Sequence, residues 1–99
     1  MTLEEIIEVL KKQPLQSQVL TRLVVLAYNA GDVLKTVYYA LHYGDGLSDP
    51  AYRAEIVCAL ADAYTQIRVL LRFLGFDEEE IKRLGEKRLQ EFLLTRMRK

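Results

Sequence analysis

The sequence predicts an all-α fold, a single domain over residues 1–99 with four helices, two of them long and antiparallel. Three observations point there. The 99-residue chain is 51% apolar and 28% charged, a balance that buries a core and excludes disorder. Two prolines and five glycines are too few to close the many short turns of a sandwich or barrel. Apolar residues recur at spacings of three and four over long stretches, the period of a helix face.

The first helix opens at Thr2, which has Glu5 three residues on, a capping-box pattern. Leu3, Ile6, Ile7 and Leu10 form its apolar stripe, and Lys11 and Lys12 suit the negative end of the helix dipole. Gln13-Pro14 ends it, because proline lacks an N–H and disfavours helix in the residue before it. Residues 1–14 therefore read as a short N-terminal helix, and residues 15–98 as the helical core.

From Leu15 to about Tyr43 no breaker interrupts the pattern. Leu20, Val24, Ala27, Gly31, Leu34, Tyr38 and Leu41 follow one another at spacings of four and three, with Leu23, Leu26, Ala30, Val33 and Val37 as a second stripe beside them. A helix apolar over so much of its circumference needs cover on several sides. At about 1.5 Å per residue it runs about 40 Å, more than one chain of this length surrounds. The expectation is a homodimer or tetramer.

Gly44-Asp45-Gly46-Leu47-Ser48-Asp49-Pro50 is rich in turn formers, and Asp49 before Pro50 suits an N-cap followed by proline at the first helical position. The third helix carries Ile56, Leu60, Ala63, Ile67, Leu70, Leu71 and Leu74 on one face and stops at Gly75. Asp77 with Glu80 opens the fourth. Its apolar residues Ile81, Leu84, Leu89, Phe92 and Leu93 stand among alternating charges, including Lys82, Arg83, Lys87, Arg88, Arg96, Arg98 and Lys99, and the helix reads as outer and solvated.

With 14 basic and 14 acidic residues the formal net charge is zero, so no global field draws the chain to nucleic acid or to an anionic membrane. Leu23–Tyr43, the longest charge-poor stretch, holds Asp32 and Lys35, which argues against a membrane span. The start Met1-Thr2-Leu3-Glu4-Glu5 lacks the basic-then-apolar order of a secretion signal, and the expected location is the cytoplasm. The single cysteine, Cys58, reads as a small core residue, and His42 lacks partners for zinc.

The polar residues inside the long helices carry the chemistry. Asn29, Asp32, Lys35 and Thr36 cluster near the middle of the second helix, and Glu55, Ala59, Asp62 and Gln66 form a stripe on the third. An antiparallel hairpin closed between Tyr43 and Ala51 sets Asp32 opposite Asp62, Asn29 opposite Thr65 and Lys35 opposite Ala59. Two carboxylates in a partly dry groove repel, and a shared proton, a bound cation or a basic side chain relieves them. Oxygen ligands suit Mg²⁺ or Mn²⁺; Lys35 offers the basic alternative. Tyr28, Tyr38, Tyr39 and Tyr64 offer ring faces on which a base stacks, although tyrosines at this spacing also serve cores and interfaces.

At these residues the chain resembles the MazG-like, all-α nucleotide pyrophosphatases. Leu26-Ala27-Tyr28-Asn29-Ala30-Gly31-Asp32-Val33 stands where that family has E-x-x-E, and Ala59-Leu60-Ala61-Asp62-Ala63-Tyr64 where it has E-x-x-D. Leu70-Leu71-Arg72-Phe73-Leu74-Gly75-Phe76-Asp77-Glu78-Glu79-Glu80-Ile81 is similar to the family's helix end, glycine and acidic helix start, and Lys87 resembles a basic position on its last helix. The likeness spans about residues 16 to 96.

The resemblance implies a four-helix MazG-like subunit that hydrolyses a nucleoside triphosphate to monophosphate and pyrophosphate with Mg²⁺ or Mn²⁺. Asp32, Asp62 and Asn29 are then the expected metal ligands, and Glu55, one turn before Ala59, the candidate replacement carboxylate. Lys35, Tyr28 and Tyr64 are the expected substrate contacts. Asn29, Ala59 and Lys35 stand at positions that are acidic in the family, which lowers the expected affinity for divalent cations. The competing expectation is a non-catalytic structural or interaction dimer in which Lys35 replaces the metal.

Overall fold

A computed structural model describes residues 1–97 of the chain. Arg98 and Lys99, the last cations of the basic face and the end of the expected core, lie outside the described residues. The described residues form four helices and no strand: α1 (Leu3–Leu10), α2 (Leu15–Tyr43), α3 (Pro50–Leu74) and α4 (Glu78–Met97). No helix among them is long and apolar enough to cross a membrane.

Local chemistry sets each boundary. The Thr2 hydroxyl accepts from the Glu5 N–H at 3.2 Å and donates to the Glu5 carboxylate at 3.2 Å, a capping pair closed side chain to side chain. The Asp49 carboxylate accepts from the Ala51 N–H at 2.9 Å and, with its other oxygen, from the Asp45 N–H at 2.8 Å, so one side chain caps α3 and folds the loop before it. Gly75 takes φ 78°. Its N–H reaches the Arg72 carbonyl at 3.3 Å and the Phe76 N–H reaches that of Leu71 at 2.9 Å, the paired bonds that end a helix at a left-handed residue. Asp77 accepts from the Glu79 N–H at 3.3 Å and starts α4.

α2 packs along α3, and α1 lies on α3. The buried residues are Ile7 of α1, Gln18, Asn29 and Ala40 of α2, and Ala59, Val69, Leu70 and Phe73 of α3. On α2, Val19, Arg22, Val25, Leu26, Asp32, Val33, Thr36 and Val37 are half-buried and, with the buried three, form one broad face at helical spacing. The side of α2 turned to α3 thus joins the polar stripe to Leu26, Val33 and Val37 of the second apolar stripe.

The apolar stripe from Leu20 to Leu41 faces the other way, with Leu20 64% and Leu34 72% exposed. On α3, Leu70 of the expected apolar face is buried and Ile56, Ala63 and Leu71 are half-buried, while Leu60, Ile67 and Leu74 are exposed and Ala59, Val69 and Phe73 are buried beside them. Cys58, expected in the core, is exposed, because it precedes the inward Ala59 by one residue, a turn of about 100°.

α4 has no buried residue. It is held at its first turn, where Glu78 takes the Arg68 guanidinium at 3.0 Å and that of Arg72 at 3.9 Å, while Arg72 also reaches Glu4 of α1 at 2.6 Å. Beyond that turn even its apolar residues Leu84, Leu89, Phe92 and Leu93 are at least half exposed. The chain exposes 7887 Å², where a compact monomer of 11.5 kDa exposes roughly 5,800 Å². Its radius of gyration is 16.8 Å, against roughly 13 Å for a compact domain of this length.

Candidate functional site

Of the polar residues singled out from the sequence, the seam between α2 and α3 gathers Asn29, Asp32, Thr36 and Gln66. Asn29 is 8% exposed and Asp32 half-buried, both on the face turned to α3. Thr36 donates from its hydroxyl to the Asp32 carbonyl at 2.8 Å, satisfying itself within the helix. On α3 the position facing this stretch is the buried Ala59, flanked by the half-buried Ile56, Ala63 and Gln66.

Asp62, Thr65 and Glu55 are exposed. The expected opposition of Asp32 to Asp62 and of Asn29 to Thr65 inside the seam is therefore corrected. The inward stripe of α3 runs through Ala59, Ala63 and Gln66, and Asp62 lies one residue, about 100°, to its side. Across the seam Arg22 Nη1 donates to Gln66 Oε1 at 3.3 Å, whereas the expected register sets Arg22 across from Arg72.

Lys35 is exposed, with its ammonium 5.6 Å from the centre of the Tyr39 ring. Among the described residues the ion pairs are those of Lys11, Arg68 and Arg72, so within one chain Lys35 does not bridge the aspartates. Tyr28 is 70% exposed on α2. Tyr64 is brought elsewhere: it lines a groove of about 380 Å³ between α3 and the start of α4 with Arg68, Leu71, Glu78 and Lys82. Its ring lies 5.9 Å from the Arg68 guanidinium.

Sequence reasoning passed over Gln18 and Arg22, which extend the polar seam toward the start of α2. Both sit at the four-and-three spacing that continues from Asn29 through Val25, and that spacing is the signal that finds them. Gln18 is 8% exposed, and its Oε1 and the Arg22 Nε are buried without a hydrogen-bond partner.

The donors that the seam offers a cation are oxygens, the amide of Asn29 and the carboxylate of Asp32, while Asp62 and Glu55 are exposed on α3 outside it. That chemistry fits a hard divalent ion. Among the described residues no group of three or more His, Cys, Asp and Glu side chains gathers as a metal site; the set holds one amide and draws its carboxylates from two helices. Comparison with protein-family models, with curated proteins and with solved structures finds no match to this chain.

Proposed function

We propose that the chain is a MazG-like nucleotide-binding subunit of a homodimer, acting on a nucleoside triphosphate to give the monophosphate and pyrophosphate. The observation that carries this reading is the packing of α2. Asn29 and Asp32 are turned to α3 among half-buried Val25, Leu26 and Val33, and the apolar stripe from Leu20 to Leu41 is left free. A helix pair whose only task is to bury a core does not place an amide and a carboxylate in its seam and leave such a stripe outside. A polar seam between helices is what a site for a charged ligand needs, and a free apolar face is what a second subunit needs.

α2 and α3 run antiparallel in this reading, which the short connection at residues 44–49 and the Arg22–Gln66 bond support. Asn29 and Asp32 in the seam, with Asp62 and Glu55 from the exposed side of α3, would hold Mg²⁺ or Mn²⁺. The ion when bound would polarise a phosphate oxygen and lower the pKa of water. The residues of the chain have their own tasks. Lys35, exposed beside the seam, offers its ammonium to a phosphate oxygen, and the open face of Tyr28 offers a platform to a base.

Thermal unfolding with added metal tests the site. Binding to the native state alone stabilises it by RT ln(1 + [L]/Kd). Millimolar Mg²⁺ or Mn²⁺ is expected to raise Tm for the native chain and to leave Tm of Asp62→Ala unchanged; an equal response in both overturns the ligand assignment.

A non-catalytic helical dimer in which Lys35 replaces the metal draws on the same free apolar surface. It requires Lys35 against the aspartates, and the ammonium rests on Tyr39 instead.

A further inference from the structure

The unpartnered face of α2 carries a pattern of its own. From Leu20 to Leu41 the spacing is four, three, four, three, four, three, the 3.5-residue period of a helix that wraps around another helix. Every position of this stripe is exposed, and a Cβ built on Gly31 meets nothing within 4 Å. The stripe holds no charge, and the chain's formal net charge is zero, so two copies brought together here do not repel.

We propose that this stripe is the dimer seam: α2 packs on α2 of a second copy, antiparallel, with Gly31 under Leu34 of the partner subunit. The inference rests on the homodimer reading and names its interface. In this register Ala27 faces Tyr38 of the partner subunit, and Val24 faces Leu41 of the partner subunit. Small meets large at the Gly31 and Ala27 layers, and the two-fold axis repeats every contact, as a closed isologous interface requires. A parallel, in-register pair instead sets Gly31 on Gly31 and leaves a void at its centre.

The exposed area leaves room for such an interface on α2 as well as for the uncovered α4. The chain exposes 7887 Å², about 2,000 Å² more than a compact monomer of its mass. A stable interface takes about 800 Å² from each partner. α4 of a second copy is the competing occupant, but its apolar residues are interrupted by Gly85 and Arg88 and keep no such period.

Light scattering on the native chain and on Leu34→Arg and Val24→Arg tests the seam, with circular dichroism as the check on folding. Both positions are exposed in the single chain, so the variants are expected to stay helical while the mass falls from oligomer to monomer. A native oligomer that survives both substitutions overturns the seam and leaves the homodimer reading standing. A monomeric native chain overturns both. Orientation is read in a Cys58→Ser background from an equimolar mixture of Gly31→Cys and Leu34→Cys under mild oxidation. Mixed disulfide dimers are expected; cross-links between like variants, or none, overturn the antiparallel pairing.

Discussion

Arg22 donates to Gln66 at 3.3 Å, the side-chain hydrogen bond that joins α2 to α3 among the described residues. It lies in a seam where Gln18 Oε1 and Arg22 Nε have no partner. The seam is therefore held by few polar contacts, and those it has matter. Gln66→Leu removes the acceptor and is expected to cost about 1–3 kcal/mol, because a desolvated donor left unpaired loses more than its bond contributed. Adding Gln18→Leu and Arg22→Met to it removes the orphans, and the triple variant is expected to recover most of that loss. Denaturant midpoints check this; a triple variant less stable than Gln66→Leu alone contradicts it.

Gly44 and Gly85 are expected to respond in opposite directions to the same substitution. A Cβ on Gly44 falls 2.6 Å from Asp49 Oδ2 and 2.8 Å from the Tyr52 ring, where the loop closes on the start of α3. Gly44→Ala therefore forces the cap or the ring aside, at about 1–3 kcal/mol. Gly85 lies within α4 with nothing near it, and Gly85→Ala is expected to stabilise that helix by up to about 1 kcal/mol. Paired melting curves give the sign at each position.

The loop also sets a pH dependence. The N–H of Asp45, and after it that of Ala51, holds the Asp49 carboxyl below its ordinary value of 3.8. A lowered native pKa means that the unfolded chain binds the proton more readily. The stability contributed by Asp49 is thus present above the unfolded value of 3.8 and is lost as pH falls below it, through the lower native value. Asp49→Asn keeps an N-capping oxygen without the charge, so its melting temperature should fall less steeply than that of the native chain between pH 4.5 and 2.5. Parallel acid melts for the two would contradict the role of the cap.

Helix ends were legible in the sequence because each is a local event. Thr2, Asp49, Gly75 and Asp77 act through bonds to or from backbone within a few residues, Pro14 and Pro50 through the N–H they lack, and the observed boundaries fall at those signals. The facing of α2 was not legible. A helix with apolar residues around most of its circumference states that it is covered, but not which face meets its own chain. Apolar patterning on α3 pointed to Leu60 and Ile67, while the polar stripe of α2 takes Ala59 and Gln66. That choice also moved Asp62 and Cys58 outward and separated Tyr64 from the seam. Of the candidate site, Asn29 and Asp32 stand together on the face turned to α3, a placement their three-residue spacing on one helix already implied.

Release of pyrophosphate is the measurement closest to the proposed activity: a panel of standard and modified nucleoside triphosphates, with Mg²⁺ and then Mn²⁺, on the native chain and on Asp62→Ala. The expected result is release by the native chain on at least one triphosphate and a loss of at least about tenfold in the variant, equivalent to about 1.4 kcal/mol in the barrier. Equal release by the two, or none from the native chain across the panel, contradicts the pyrophosphohydrolase reading and leaves a helical assembly as the chain's function.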